Sequence, residues 1–331
     1  MVRYSTIAFL GAFCLAAFPV RAEVPAFTLE AGAEHPLAGK VWSRADGDFV
    51  AAGAVEKAVR DARYVLLGEI HDNPDHHALQ AHLLGQVVSQ GRRPAVVLEM
   101  VPRDRQGRIE AHLAATPDDA AGFGAAVGWS ELGWPDYGIY RPILEVALGA
   151  GLPVVAGDAP RADRRVLARE GMESLGGEKI AVLALENPLG VAEDARLLDT
   201  LFDGHCGLMP RAALTPLVAV QRLRDAVLAD AMIAAGTGRA DGAVLIAGAG
   251  HVRKDFGVPR YLAWREAASD VVSVAFVEVR EAAAMPSDYV TVGDGGGALY
   301  DYVWFTPGRG AARGDPCAEL EKRFEKAREQ P

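Results

Sequence analysis

What this 331-residue chain has little of already narrows its class. No apolar stretch reaches the roughly 18 uninterrupted residues of a membrane-spanning helix, which excludes a polytopic membrane protein. Basic residues are in deficit, 34 Lys and Arg against 44 Asp and Glu, so the chain carries a net charge of −10. That balance lacks the basic surface of a nucleic-acid binder. Walker A, G-x-S-x-G and H-E-x-x-H motifs are all missing. What is present is ordinary globular material: 50% hydrophobic and 24% charged residues, which exclude disorder, coiled coil and collagen. This length can bury the core of one large domain or two modest ones.

The amino terminus reads as an export signal. Arg3 precedes an apolar run from Ile7 to Val20, and Val20-Arg21-Ala22 ends it with a small-x-small pattern. The run is too short for a bilayer core of about 30 Å, so cleavage is expected after Ala22. Phe13 before Cys14 is too bulky for a lipid-attachment site, so no lipid anchor is expected. Residues 1–22 are therefore a signal peptide, and 23–331 are read as one periplasmic or secreted domain. Removing 22 residues leaves 309, and the loss of Arg3 and Arg21 takes the net charge to −12. Cys206 and Cys317 remain, either bridged or as two buried thiols; spacing does not decide between them. No C-x-x-C-H occurs, which excludes covalent c-type haem attachment.

Periodicity predicts an α/β protein: a mostly parallel sheet flanked by helices, with a helical insertion near 101–150 and a C-terminal hairpin. After a polar lead-in over 23–47, a helix is expected over 50–62. Apolar runs at 63–68, 94–98, 152–156, 179–185, 243–247 and 271–279 read as strands. Asn73 and Pro74 start a helix whose stripe is Leu79, Leu83, Leu84, Val87 and Val88. A long helix is expected over 211–235, a loop over 200–209, and a hairpin pairing 289–292 with 300–305.

Polar residues with chemical potential recur where these strands end: Glu69 and His71, Glu99, Asp158 and Arg161, and His251. That edge of an open parallel sheet is where ligands bind. Glu69 alone would be a satisfied loop carboxylate; the repetition over four strands favours a site. Imidazole and carboxylate suit a divalent metal, so Glu69, His71, Glu99 and His251 form a candidate ligand set. Such a set would serve a metal-dependent hydrolase, the alternative reading in which these four are catalytic. His76 begins the helix stripe and points sheetward, while His77 reads as packing. Gly248-Ala-Gly-His251 suggests a dinucleotide fingerprint, but Arg253 stands in the third glycine's place; the glycines rather turn the backbone so that His251 faces the pocket. Gln221 and Asp225 share a helix face, and Asp225 either holds the second nitrogen of a histidine or is solvated. Tyr137 and Tyr140 lie beside Trp134; phenolate ligates haem iron, yet taken alone these rings read as aromatic packing.

GEIHDNPDHH at 68–77, LEM at 98–100, HCGLMP at 205–210, QRLRDAVLADAM at 221–232, AGAGHVRKDFGVP at 247–259 and YDYVWFTP at 300–307 together resemble the ChaN-type haem-binding proteins of the Tiki superfamily. The resemblance covers nearly the whole mature chain. It implies a ChaN-like fold, a role in iron and haem uptake without established turnover, and a homodimer enclosing two stacked haems, each iron bound by a tyrosine. An outer-membrane receptor is the implied partner. Carried onto this sequence, the cofactor residues would be Tyr140 ahead of Tyr137, with Trp134, Arg161 and His76. Superfamily relatives with a Glu/His pocket would map it onto Glu69, His71, Glu99 and His251. The family's founding members look like lipoproteins, and this signal sequence departs from them.

Overall fold

Tyr64-Val-Leu-Leu-Gly-Glu69 is buried at every position, and successive side chains serve opposite faces. Val65 and Leu67 join one apolar cluster, Tyr64 and Leu66 another. A strand covered on both sides has no solvent face to mark with polar residues, which is why it reads as a continuous apolar run. The structure, a computed structural model, describes residues 23–237, 240–266, 270–289 and 299–328.

In chain order the elements are β1 (Val41–Ser43), β2 (Asp48–Val50), α1 (Ala52–Asp61), β3 (Tyr64–Glu69), α2 (Pro74–Ser89), β4 (Ala95–Pro102), α3 (Gln106–Ala115), α4 (Ala120–Val127), α5 (Tyr137–Gly149), β5 (Val154–Asp158), α6 (Arg161–Glu170), α7 (Gly177–Val182), α8 (Val191–Gly204), α9 (Arg211–Ala235), β6 (Ala243–Gly248), α10 (Val258–Arg265), β7 (Val271–Glu278), β8 (Tyr302–Thr306) and α11 (Pro316–Arg328). The eight strands form one sheet in the order β2-β1-β8-β7-β3-β6-β4-β5. Every pairing from β8 to β5 is parallel, and β1 is antiparallel to both β8 and β2. This is the expected α/β architecture with a helical segment after β4. One face packs α1, α2 and α5; the other packs α6, α9 and α10.

Two details of register build the functional edge. Glu69 pairs with Gly248 at the ends of β3 and β6. The pairing of β4 with β5 is regular through Leu98 and then shifts before Pro102. Glu99 lies inside that irregularity, so β4 runs past its carboxylate rather than ending at it. Asn73 caps α2 as expected, its side-chain oxygen accepting from the backbone N–H groups of Asp75 and His76 at 3.0 and 3.2 Å.

Several expectations need correction. Residues 179–185 are not a strand: α7 occupies 177–182, and Ala184 turns the chain with φ of +54°. Leu183 and Leu185 bury against the cluster that includes α9, which the same short apolar run achieves without joining the sheet. The expected loop from Thr200 begins as the last turn of α8, and only from His205 does the chain leave the helix. The polar lead-in holds two short strands, β1 and β2. The first arm of the expected C-terminal hairpin lies outside the described residues beyond Tyr289; the second arm is β8, whose sheet neighbours are β7 and β1. Cys206, just beyond α8, is disulfide-bonded to Cys317 at the start of α11, closing a separation of 111 residues.

Candidate functional site

The C-terminal ends of β3, β6 and β5, with the irregular stretch of β4, bring Glu69, Gly248, Asp158 and Glu99 to one rim. Glu69 is buried, and His71 Nδ1 donates to its Oε1 at 2.6 Å. Burial alone would pull the His71 pKa down, but the charge and hydrogen bond of Glu69 outweigh it and raise it. The other Glu69 oxygen is buried without a partner. The His71 ring meets the edge of Trp134 at 4.7 Å and lies over Gly248, where a Cβ would come within 2.9 Å of Cε1. A side chain at this position would push the imidazole from its place beside Glu69. His71 Nε2 makes no hydrogen bond, and 37% of the side chain is exposed.

Beside this dyad lies an ion-pair network. Glu99 accepts from Arg224 at 2.7 Å and from the Gly248 backbone N–H at 2.7 Å, and its Oε1 is 3.1 Å from His251 Nε2. Arg224 also donates to both oxygens of Asp158, at 2.9 and 3.1 Å. His251 Nδ1 meets Asp225 at 2.6 Å, with Gln221 alongside at 3.1 Å. The holding role considered for Asp225 on the shared Gln221 face is the one observed. Burial disfavours charge on His251, yet Glu99 and Asp225 raise its pKa to about 10. Burial likewise pushes the Glu99 carboxyl up, but His251 and Arg224 hold it well below the usual carboxylate range. Asp225 is raised by its burial.

Glu69, His71, Glu99 and His251 do converge, but as internally paired groups. Among the described residues, no cluster of three or more His, Cys, Asp or Glu side chains is arranged to hold a metal ion. The reason is local: Arg224 already supplies the cation for Glu99 and Asp158, and His251 is protonated between two carboxylates. The divalent ion expected here, and the hydrolase reading built on it, gain no support. Arg224 was not among the residues singled out from the sequence, since no local spacing records that its side chain reaches carboxylates on both β4 and β5.

The aromatic candidates are tied to the backbone. Tyr140 is fully buried and donates to the His71 carbonyl at 2.9 Å, its ring against His77 and Trp129. Tyr137 donates to the Ala120 carbonyl at 2.5 Å. Burial raises both phenols far above their ordinary range. His76 is fully buried: Nδ1 accepts from the Ile70 N–H and Nε2 meets Thr306 Oγ1 at 2.8 Å, which pins α2 to β8. Burial holds that imidazole neutral, and it does not reach the rim.

Trp134 and Arg161 do share a cavity. It measures about 470 Å³ and lies between the ends of β4 and β5, the 131–134 turn and the start of α6. Leu132 and the half-buried Trp134 give it an apolar side over the buried Met100 and Pro102, and the Trp134 N–H donates to the Met100 carbonyl at 2.8 Å. Arg105, Arg161, Arg164 and Arg224 supply a cationic side. A larger cavity of about 810 Å³ lies between α1, α2 and α5 and contains none of the candidate residues.

Residues 55–262 match a protein family described as haem-binding uptake, Tiki superfamily, ChaN. Among solved structures, the chain is similar to ChaN of Campylobacter jejuni, described with cofacial haem binding: TM-score 0.60 at 18% identity, covering 80% of this chain and 95% of that one. An erythromycin esterase, EreC, gives a TM-score of 0.39 at 16% identity over 68% of this chain and 72% of that one. The type III effector HopBA1 gives 0.41 at 14% identity over 76% and 91%. No curated protein matches.

Proposed function

The chain belongs to the ChaN family of haem-binding uptake proteins in the Tiki superfamily, and from that membership we propose that it is an exported haem-binding protein of iron uptake, its iron held by a tyrosine. The observation that carries the reading is the span of the family match, 55–262, which contains every residue of the sheet-edge site. The cavity offers what the acid edge of such a group needs, an indole beside guanidinium donors, one of them with a buried nitrogen that has no partner; neither Tyr137 nor Tyr140 lines it. Haem, when bound, supplies an iron centre with a coordination position for a protein ligand.

Tyr140 leads as that ligand because its hydroxyl reaches the His71 carbonyl beside the Glu69–His71 dyad, although its ring is buried beneath the site. To ligate, it must release that hydrogen bond and lose a proton that burial holds firmly. The signal layout of residues 1–22 supports export and so haem capture outside the cytoplasm, while the homodimer and an outer-membrane receptor rest on the resemblance to ChaN-type proteins alone. Haemin titration of the chain beginning at Glu23 tests this reading. A saturable Soret shift is expected, lost when Tyr137→Phe and Tyr140→Phe are combined. No shift overturns haem binding; a shift that survives in the double variant overturns ligation by Tyr137 or Tyr140 and leaves haem binding standing. Exported product recovered with its first 22 residues intact removes the signal-peptide reading.

A further inference from the structure

The four arginines of the rim cavity are not equivalent. Arg224 is saturated by Glu99 and Asp158. Arg105 is held by the carbonyls of Val127 and Gly128 and by Glu131 at 2.9 Å. Arg164 has a single ion pair, 3.3 Å to Asp158, whose two oxygens Arg224 already engages, and its buried Nε has no acceptor. Arg161, one turn earlier on α6, is exposed and makes no hydrogen bond or ion pair. Against these two stands one unpaired acid in the lining, Asp104, since Glu131 is matched by Arg105. The cavity thus keeps a local cationic surplus within a chain whose net charge is −10. Residues 161 and 164 share a helix face. A guanidinium pair of this kind matches a carboxylate, which can accept two parallel N–H bonds.

We propose that this cavity is a carboxylate subsite for a flat, acid-bearing ligand, with Arg161 and Arg164 taking the carboxylate while the ring system lies along Trp134 and Leu132. It deepens the haem reading, on which it rests for the identity of that acid as a porphyrin propionate. Metal-free protoporphyrin separates the two, because it carries the propionates without an iron to ligate.

The test measures quenching of tryptophan fluorescence by metal-free protoporphyrin and by its dimethyl ester, and in parallel the Soret shift with haemin. Wild-type protein is expected to bind the diacid at least tenfold more tightly than the ester, as two charge-assisted bonds imply. Arg161→Gln and Arg164→Gln should each remove most of that preference, the affinity for the diacid falling toward that for the ester. Arg161 is exposed, so its variant keeps the wild-type fold even if Arg164→Gln lowers stability. Equal affinity for diacid and ester, no quenching by either, or a preference that survives both substitutions overturns the subsite. A haemin Soret shift that persists alongside such a result leaves haem binding standing without it. Arginine-dependent diacid binding without any haemin shift keeps the subsite and overturns iron ligation.

Discussion

At His251, two buried carboxylates flank one imidazole: Glu99 at 3.1 Å and Asp225 at 2.6 Å. The ring is charged in the folded protein up to about pH 10, whereas an unfolded histidine loses its proton near pH 6.5. A pKa raised on folding contributes stability in full below about pH 6.5, and that contribution is lost as pH rises toward 10. The unfolding free energy should therefore fall across this window. In His251→Gln the fall should be shallower, on a baseline about 3–5 kcal/mol lower because Asp225 is left buried and uncompensated. Urea unfolding at a series of pH values measures both; an unchanged slope in the variant would show that His251 is not charged in the fold. Helical spacing put Gln221 and Asp225 on one face and offered Asp225 as a holder of some histidine or as a solvated acid; that the histidine is His251 became plain only from the packing of α9 against the end of β6. Arg224 was not legible, because a long guanidinium side chain reaches carboxylates on two strands and no local spacing records that reach. Nor did the residues Tyr137 and Tyr140 reveal that their hydroxyls would close on backbone carbonyls.

Among the elements, β3, β4 and β6 were readable because burial on both faces leaves an unbroken apolar run, and α2 because Asn73 and Pro74 mark its start. The segment 179–185 carries the same kind of apolar run but packs as α7 and a turn against α9, a choice made by tertiary contact. β1 and β2, three residues each, are too short to set a period. The Cys206–Cys317 bridge lay beyond the sequence because it joins a turn after α8 to the start of a terminal helix, a matter of spatial approach alone. α11 is largely exposed, so its own packing holds it weakly and the covalent link is what fixes it. A bridge across 111 residues removes much freedom from the unfolded chain. By loop entropy, a closed loop of about 100 residues is worth roughly 4–5 kcal/mol. Cys317→Ser should lower the unfolding free energy by an amount of that order, and reductant should do the same to wild type but nothing further to the variant. Coincident unfolding curves for wild type with and without reductant would contradict the link.

For the molecule as a whole, acidity sets how an acid-bearing ligand approaches. The chain beginning at Glu23 carries −12, and a porphyrin with two ionised propionates is repelled by that field at long range. The cationic surplus at Arg161 and Arg164 acts only over a few ångströms, inside the cavity. Salt distinguishes the two ranges: the screening length is about 20 Å near 20 mM and falls below about 8 Å near 200 mM. Raising salt across that interval should erase the global repulsion while leaving direct guanidinium–carboxylate contacts largely intact. Stopped-flow mixing with haemin should therefore show an association rate that rises with salt and a dissociation rate that changes little. A rate that falls steadily instead would mean that the arginine cluster steers the ligand from a distance, and that local cationic charge dominates the field of the acidic molecule.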